Sequence, residues 1–245
     1  MSLIPQGSSP PKNRSTDTVL APPATAEEAV LREYYPMAYR VAVGLCGTPE
    51  AARLLLPSLA ERGVKALPRW RDNADAHRWF LHHTVLATRD LAVARGSVDN
   101  DTLVPPGGVA GPGYTVFIAT LRGLNFQQRE AFLLHFGEDQ DTRGVAIAMD
   151  CSTEAAKNHL LAATSAIIAN VSGRPEFDAC VQNLRTVWQS LTPAMRDVVA
   201  DTRRLVRGSV WRKRLQFVRG TILSLVTAAL IALLAWFVLR QMHHL

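Results

Sequence analysis

DTRGVAIAMDCSTEAAKNHLLAATSAIIAN, residues 141–170, reads as a short helix over 142–149, a tight turn at Asp150, Cys151 and Ser152, and a longer helix over 153–170. Ser152 is a good N-cap for the longer helix, because its hydroxyl can take up a backbone N–H that the first turn leaves without a partner. A short helix, a turn of three to four residues and a second helix make a helix-turn-helix, an arrangement also common in helical proteins that bind nothing.

Moving outward, helical spacing continues and period-two alternation is nowhere found, so the fold class expected is all-α. Residues 116–124 and 127–136 read as helices leading into the turn motif. Further upstream, Thr25-Ala26-Glu27-Glu28 resembles a capping box, and Val30, Leu31, Tyr34, Tyr35, Ala38, Tyr39, Val41, Ala42 and Leu45 follow at helical spacing before Gly47-Thr48-Pro49. A second helix is expected over 50–67, with Pro57 and Gly63 awkward inside it, and a third from about 75 to 94. A last amphipathic stretch runs from Phe177 to about Val206.

The segments between these elements set the domain pattern. Residues 1–25, rich in Pro, Ser and Thr, read as a disordered leader, and the Gly- and Pro-rich stretch 96–114 reads as a linker. Two small helical domains are therefore expected, 26–95 and 115–173, followed by a basic, amphipathic juxtamembrane segment over 174–220.

Residues 221–239, TILSLVTAALIALLAWFVL, hold 19 residues without a charge, enough at about 1.5 Å per residue to cross a hydrocarbon core about 30 Å thick. Arg203, Arg204, Arg207, Arg212, Lys213, Arg214 and Arg219 precede this run and only Arg240 follows it with a fixed charge, before the short tail 240–245 ends. The positive-inside rule then places the body in the cytoplasm, on a single-pass anchor in the cytoplasmic membrane. The basic cluster, Arg204, Arg207, Arg212, Lys213, Arg214 and Arg219 above all, is expected to meet anionic lipid of the inner membrane.

The charge distribution agrees with that placement. The net charge is +6, yet residues 123–173 carry three basic against six acidic side chains while residues 174–245 carry eleven against four. Cys46, Cys151 and Cys180 are far apart and form no metal or disulfide pattern, and no secretory signal is expected at the N-terminus. His82-His83, and His77 with Asp75, are the only clusters that invite a catalytic or metal reading, and GGVAGPG (107–113) lacks the Lys-Ser/Thr of a phosphate loop. No catalytic residue, metal site or cofactor is expected, and no enzyme.

Four blocks carry a family resemblance. LREYYPMAYRVAVGLCGTPEAA (31–52) and KALPRWR (65–71) with Trp79 and Asp90 beyond it resemble the first domain of bacterial RNA polymerase sigma factors of the extracytoplasmic-function type, within the sigma-70 family. LRGLNFQQREAFLLHF (121–136) and DTRGVAIAMDCSTEAAKNHL (141–160) are similar to that family's second domain and its helix-turn-helix. The resemblance covers about 140 residues, each block without gaps. It implies a sigma region 2-like and a region 4-like domain, core RNA polymerase and promoter DNA as partners, and a role in transcription initiation. Matching positions would place Trp70, Arg71, Trp79, His82 and His83 at melting and −10 recognition, and Ser152, Thr153, Lys157 and Asn158 at the −35 DNA. A regulatory protein or a releasing protease is a further partner to expect for a tethered factor.

The chain also departs from the family. Acidic and Gln positions that grip polymerase are Leu54, Pro57 and Ser58 here, the usual Arg-Asn pair falls at Val85 and Leu86, and basic positions of the recognition helix fall at His159, Ala162 and Thr164. A second function therefore stands beside the first: a sigma-like fold working as a membrane-anchored protein-interaction module without promoter-directing activity.

Overall fold

A computed structural model describes residues 22–66, 70–95, 103, 111–208 and 227. Among them there is no strand, and the fold is all-α as the periodicity requires. The elements in chain order are α1 (Ala26–Cys46), α2 (Pro49–Ala66), α3 (Asn73–Arg95), α4 (Pro112–Gly123), α5 (Phe126–Phe136), α6 (Thr142–Met149), α7 (Thr153–Asn170), α8 (Arg174–Ser190) and a further helical segment, α9, over residues 195–208.

α1 begins where its capping residues demand. Thr25 Oγ1 accepts a hydrogen bond from Glu28 N at 3.1 Å, and the Glu28 carboxylate reaches back to Ala24 N at 2.9 Å, one residue earlier than in the usual reciprocal box. The helix stops at Gly47, whose φ of 83° closes the turn onto Val43 O. Pro36 and Pro57 both lie inside helices, α1 and α2, each at the loss of one i→i−4 hydrogen bond. Burial keeps the chain helical there: residues 37–39 and 41–47 of α1 are buried in succession, so tertiary packing covers most of its circumference. Gly63 in α2 has a packing reason, since a Cβ there would come within 2.7 Å of Phe80 Cζ on α3.

α1, α2 and α3 pack mutually into one unit, and α4, α5, α6 and α7 into a second. A single hydrophobic cluster runs through both, from Leu31, Tyr34 and Phe80 to Phe117, Phe132, Ile167 and Phe177. Contacts of α1 with α5 and α8, and of α3 with α6, join the two. α4 starts at Pro112, inside the stretch read as linker, because proline's fixed φ suits the first helical position.

The amphipathic stretch expected from Phe177 to about Val206 forms two helices. It starts at Arg174, breaks over Leu191–Ala194 with Pro193 in the gap, and resumes as α9. Phe177, Cys180, Val181, Leu184, Val187 and Trp188 bury one face of α8. α9 turns back along α1: Tyr35 Oη donates to Asp201 Oδ2 at 2.6 Å, Arg203 Nε to Glu28 Oε1 at 2.9 Å, and Val198 and Thr202 are buried. Burial opposes ionisation of Glu28, but Ala24 N–H, Arg32 and Arg203 together hold its carboxyl below the ordinary range.

Among the described residues no helix is long and apolar enough to cross a membrane. Residues 221–239, read from sequence as the anchor, lie outside the described residues except for residue 227, as do residues 1–21 of the expected leader 1–25 and most of the stretch 96–114.

Trp188 is the point at which α1, α5 and α8 close on one another. A Cβ on Gly44 of α1 would lie 2.1 Å from Trp188 Cζ3, and one on Gly137 after α5 would lie 2.8 Å from Cδ2, so the indole is seated against bare backbone on two sides. Gly44→Ala should destabilise the protein by about 1–3 kcal/mol through overpacking, and Trp188→Ala by about 3–5 kcal/mol through the cavity left behind. Denaturant unfolding of the full chain in detergent, followed by far-UV circular dichroism, checks both; wild-type stability in Gly44→Ala would contradict the tight seat.

Candidate nucleic-acid interface

The helix-turn-helix forms as its capping residues dictate. Asp141 Oδ1 accepts from Gly144 N at 2.6 Å to start α6, and Ser152 Oγ accepts from Ala155 N at 3.1 Å to start α7. Between them Asp150 adopts the left-handed region with φ 55°, and Cys151 N donates to Ala146 O at 3.0 Å, which is the six-to-one bond of a Schellman ending. α7 buries Ala156, Ala163 and Ile167 against the second unit. Its opposite face is therefore outward: Ser152, Thr153, Lys157, Asn158, Leu161 and Ala162 are all exposed, Leu161 by 54%.

The four residues expected at −35 DNA thus share one accessible surface at the start of α7. Within residues 123–173 the exposed side chains with a fixed positive charge are Lys157, one of the four, and Arg143, because Arg129 is buried beside Phe126. Desolvation pulls the Arg129 guanidinium below its ordinary pKa.

The residues expected at the −10 side divide into two groups. Arg71 is exposed at the approach to α3. Trp70 and Trp79 are half-buried, their rings 5.5 Å apart and each within 5.6 Å of the Phe80 ring, so packing against the first unit's core accounts for much of both. His83 sits 4.2 Å from the Trp79 ring, and burial, with the neighbouring charges of His82 and Arg62, pushes its pKa down to about 4. It is a neutral ring, tilted by 55° against the Trp79 ring, near pH 7 rather than a cation for phosphate.

His82 faces the other unit. Its Nδ1 lies 3.1 Å from Ile147 O and 3.3 Å from Ala148 O, the carbonyls at the end of α6. Two turns further along α3, Arg89 makes a two-pronged bond to Glu130 of α5, Nε to Oε1 at 2.9 Å and Nη2 to Oε2 at 2.6 Å, and donates to Met149 O at 3.0 Å. Glu130 is fully buried; burial pushes its carboxyl up, and the Arg89 guanidinium opposes that shift. Arg78, Trp79 and His82 of α3 and Ala146, Ile147, Asp150 and Cys151 of the turn motif then line one cleft of about 490 Å³.

On α2, Leu54 is 59% exposed, Pro57 is half-buried and Ser58 is exposed, so two of the three positions at which the resemblance expects polar, polymerase-gripping side chains lie open at the surface. On α9, Arg204 is exposed and paired with Asp201 at 3.0 Å, and Arg207 is exposed; Arg212, Lys213, Arg214 and Arg219 lie outside the described residues. Among the described residues no group of three His, Cys, Asp or Glu side chains is placed to hold a metal ion.

Residues that single-sequence reading overlooked connect the units: Arg40 and Glu138, Arg89 with Glu130, and Trp188. Glu130 stood inside a quoted block and Arg89 beside Asp90, but nothing in a one-dimensional pattern pairs side chains 41 positions apart.

No protein-family model matches the chain, and no curated protein is significantly similar to it.

The neutral His83 has a consequence for pH. A histidine whose folded pKa is depressed favours folding while neutral, and that contribution is lost as pH falls from its free value of 6.5 through about 4. The melting temperature should therefore drop across this window, and His83→Phe, which keeps a ring against Trp79, should flatten the drop. Thermal melts of both proteins between pH 7 and pH 4 test this, with equal slopes as the contrary outcome.

Proposed function

We propose that this chain is a sigma-factor-like regulator of transcription initiation, held at the cytoplasmic face of a membrane by residues 221–239, and that it meets core RNA polymerase through its first unit and promoter DNA through α7. The observation that carries the proposal is the outward surface of Ser152, Thr153, Lys157 and Asn158 at the N-terminal end of α7, behind a three-residue turn. Support also comes from the sequence blocks at 31–52, 65–71, 121–136 and 141–160, whose described residues fall on α1 and the start of α2, on the end of α2 and the approach to α3, on α4–α5 and on α6–α7. Ser, Thr and Asn side chains can bond phosphate or base edges, and Lys157 adds a phosphate contact.

Low positive charge sets the strength of that contact. With Arg143 and Lys157 as the exposed basic side chains of residues 123–173, about two phosphates at most are neutralised there, and DNA affinity should fall with a log–log salt slope of about −1 to −2. Polymerase, rather than α7 alone, must supply most of the promoter affinity in this scheme.

A second reading, an interaction module that no longer directs initiation, has a specific observation in its favour: Leu54 and Leu161 are large apolar side chains more than half exposed where the family carries polar contacts or lies beside them.

The full chain, placed in nanodiscs of zwitterionic lipid, is mixed with core polymerase and a promoter library. Co-elution with polymerase and start-site-specific run-off transcripts are expected. Absence of both from a protein with intact helical circular dichroism leaves the interaction module as the function. For the tether, deletion of residues 221–245 should move the protein from the membrane pellet to the supernatant after alkaline carbonate extraction; an unchanged distribution would overturn the assignment of the anchor.

A further inference from the structure

α9 turns back along α1 and leaves a cavity beside α2. Tyr35 and Tyr39 of α1, Arg53 of α2, and Asp197, Asp201 and Arg204 of α9 line its volume of about 380 Å³. On the α9 wall the carboxylates are matched. Asp201 Oδ2 accepts from Tyr35 Oη at 2.6 Å, and Asp201 Oδ1 accepts from Arg204 Nη2 at 3.0 Å. Asp197, whose side chain is 60% exposed, has the Arg196 cation 3.5 Å away.

The opposite wall, formed by α1 and α2, holds two polar groups that are not matched. Tyr39 is only 8% exposed, yet its hydroxyl makes no hydrogen bond to any described residue, in contrast to that of Tyr35 stacked beside it. Burial raises the Tyr39 phenol above its ordinary range against the influence of the Arg53 cation, so the hydroxyl keeps its proton. Arg53 is exposed and makes neither a hydrogen bond nor an ion pair with any described residue. A buried hydroxyl left unbonded is costly, and a guanidinium has five N–H donors and no acceptor. Both groups therefore gain from an acceptor placed in the cavity.

An anion with several oxygens meets that need better than one with two. The planar fork of an arginine engages two oxygens at once, which occupies a carboxylate fully. A phosphate group has further oxygens, one for Tyr39 O–H and one for Arg204 across the cavity. We propose that this cavity binds a phosphate group, gripped by Arg53 and Tyr39 from the first unit and by Arg204 from α9. Asp197 and Asp201, with Glu50 close enough to act on Tyr39, oppose an anion there. Arg204 offsets Asp201, and water screens the exposed Asp197, which leaves the Arg53 cation uncompensated on the opposite wall. The occupant ties α9 to α1 and α2. α9 is described as far as Gly208, 13 positions before Thr221 (208 to 221), where the proposed anchor begins. At up to about 3.5 Å per position, that span lets the cavity sit at the headgroup layer, so a phospholipid headgroup is one source of the phosphate and a soluble phosphate ester the other. Only the lipid source rests on the anchor; the cavity and its unmatched groups do not.

Calorimetric titration of the full chain in maltoside micelles and phosphate-free buffer tests the site, with inorganic phosphate as the probe and acetate as its two-oxygen control. The parent should bind inorganic phosphate and take acetate at least about tenfold more weakly. Arg53→Gln should weaken phosphate binding by about tenfold or more, since it removes charge-assisted bonds. Tyr39→Phe, which removes only the hydroxyl, should weaken it by about threefold to tenfold. Arg207→Gln, on the same helix but outside the cavity, should leave it unchanged. Competition by phosphatidic acid added to the micelles assigns the site to a lipid headgroup, and competition by glycerol 3-phosphate alone assigns it to a soluble ester. Competition by neither means an adventitious ion only and overturns the proposal. No uptake by the folded parent overturns it too, as does equal affinity in the parent and in Arg53→Gln.

Discussion

The Glu138 carboxylate, just past α5, holds the molecule together at its centre. Arg40 of α1 grips it with two bonds, Nε to Oε1 at 2.5 Å and Nη2 to Oε2 at 2.9 Å, and Trp188 of α8 donates Nε1–H to Oε1 at 2.7 Å. Arg40 also donates to Thr192 Oγ1 at 2.8 Å, which fixes the turn between α8 and α9. Because the carboxylate is almost wholly buried, loss of any donor would leave charge in a desolvated site, a cost of about 3–5 kcal/mol for a broken buried pair. Gly44 and Gly137 are bare so that the Trp188 indole can lie flat between α1 and α5. One carboxylate therefore orients α1, the end of α5, α8 and the start of α9.

A second buried carboxylate, Glu130, does for α3 and α5 what Glu138 does for α1 and α8. The two lie eight residues apart in sequence, one inside α5 and one just beyond it, and each receives an arginine from the first unit. Directional ion pairs of this kind fix the relative setting of two helical units that apolar packing alone would hold less specifically. That setting decides which surfaces are free. The start of α7 stays open, while His82 and the inner side of α3 are occupied by α6.

The legibility of the chain varies with the range of the forces involved. α6, α7 and the start of α1 were readable to the residue, because Asp141, Ser152 and Thr25 act on backbone groups within three positions of themselves. α8 and α9 were not separable by pattern, since the apolar spacing continues across Pro193 and only the return of α9 along α1 shows that the chain reverses there. The site divides in the same way. Exposure of Ser152, Thr153, Lys157 and Asn158 follows from helical period once Ala156, Ala163 and Ile167 are placed inward. His82 and His83, adjacent and alike in sequence, have separate fates: one caps α6 from across the seam and the other packs tilted against Trp79.

Sequence alone determined the all-α class, the helix-turn-helix with its caps, and the segregation of basic charge to residues 174–245, because periodicity, capping and charge are local or additive properties. Only the tertiary structure decided that α3 caps α6, that Trp188 needs Gly44 and Gly137, and that Arg40 and Arg89 find Glu138 and Glu130. Those pairings span 41 to 144 positions of chain, and a buried ion pair is worth forming only when the surrounding packing has already excluded water from both partners.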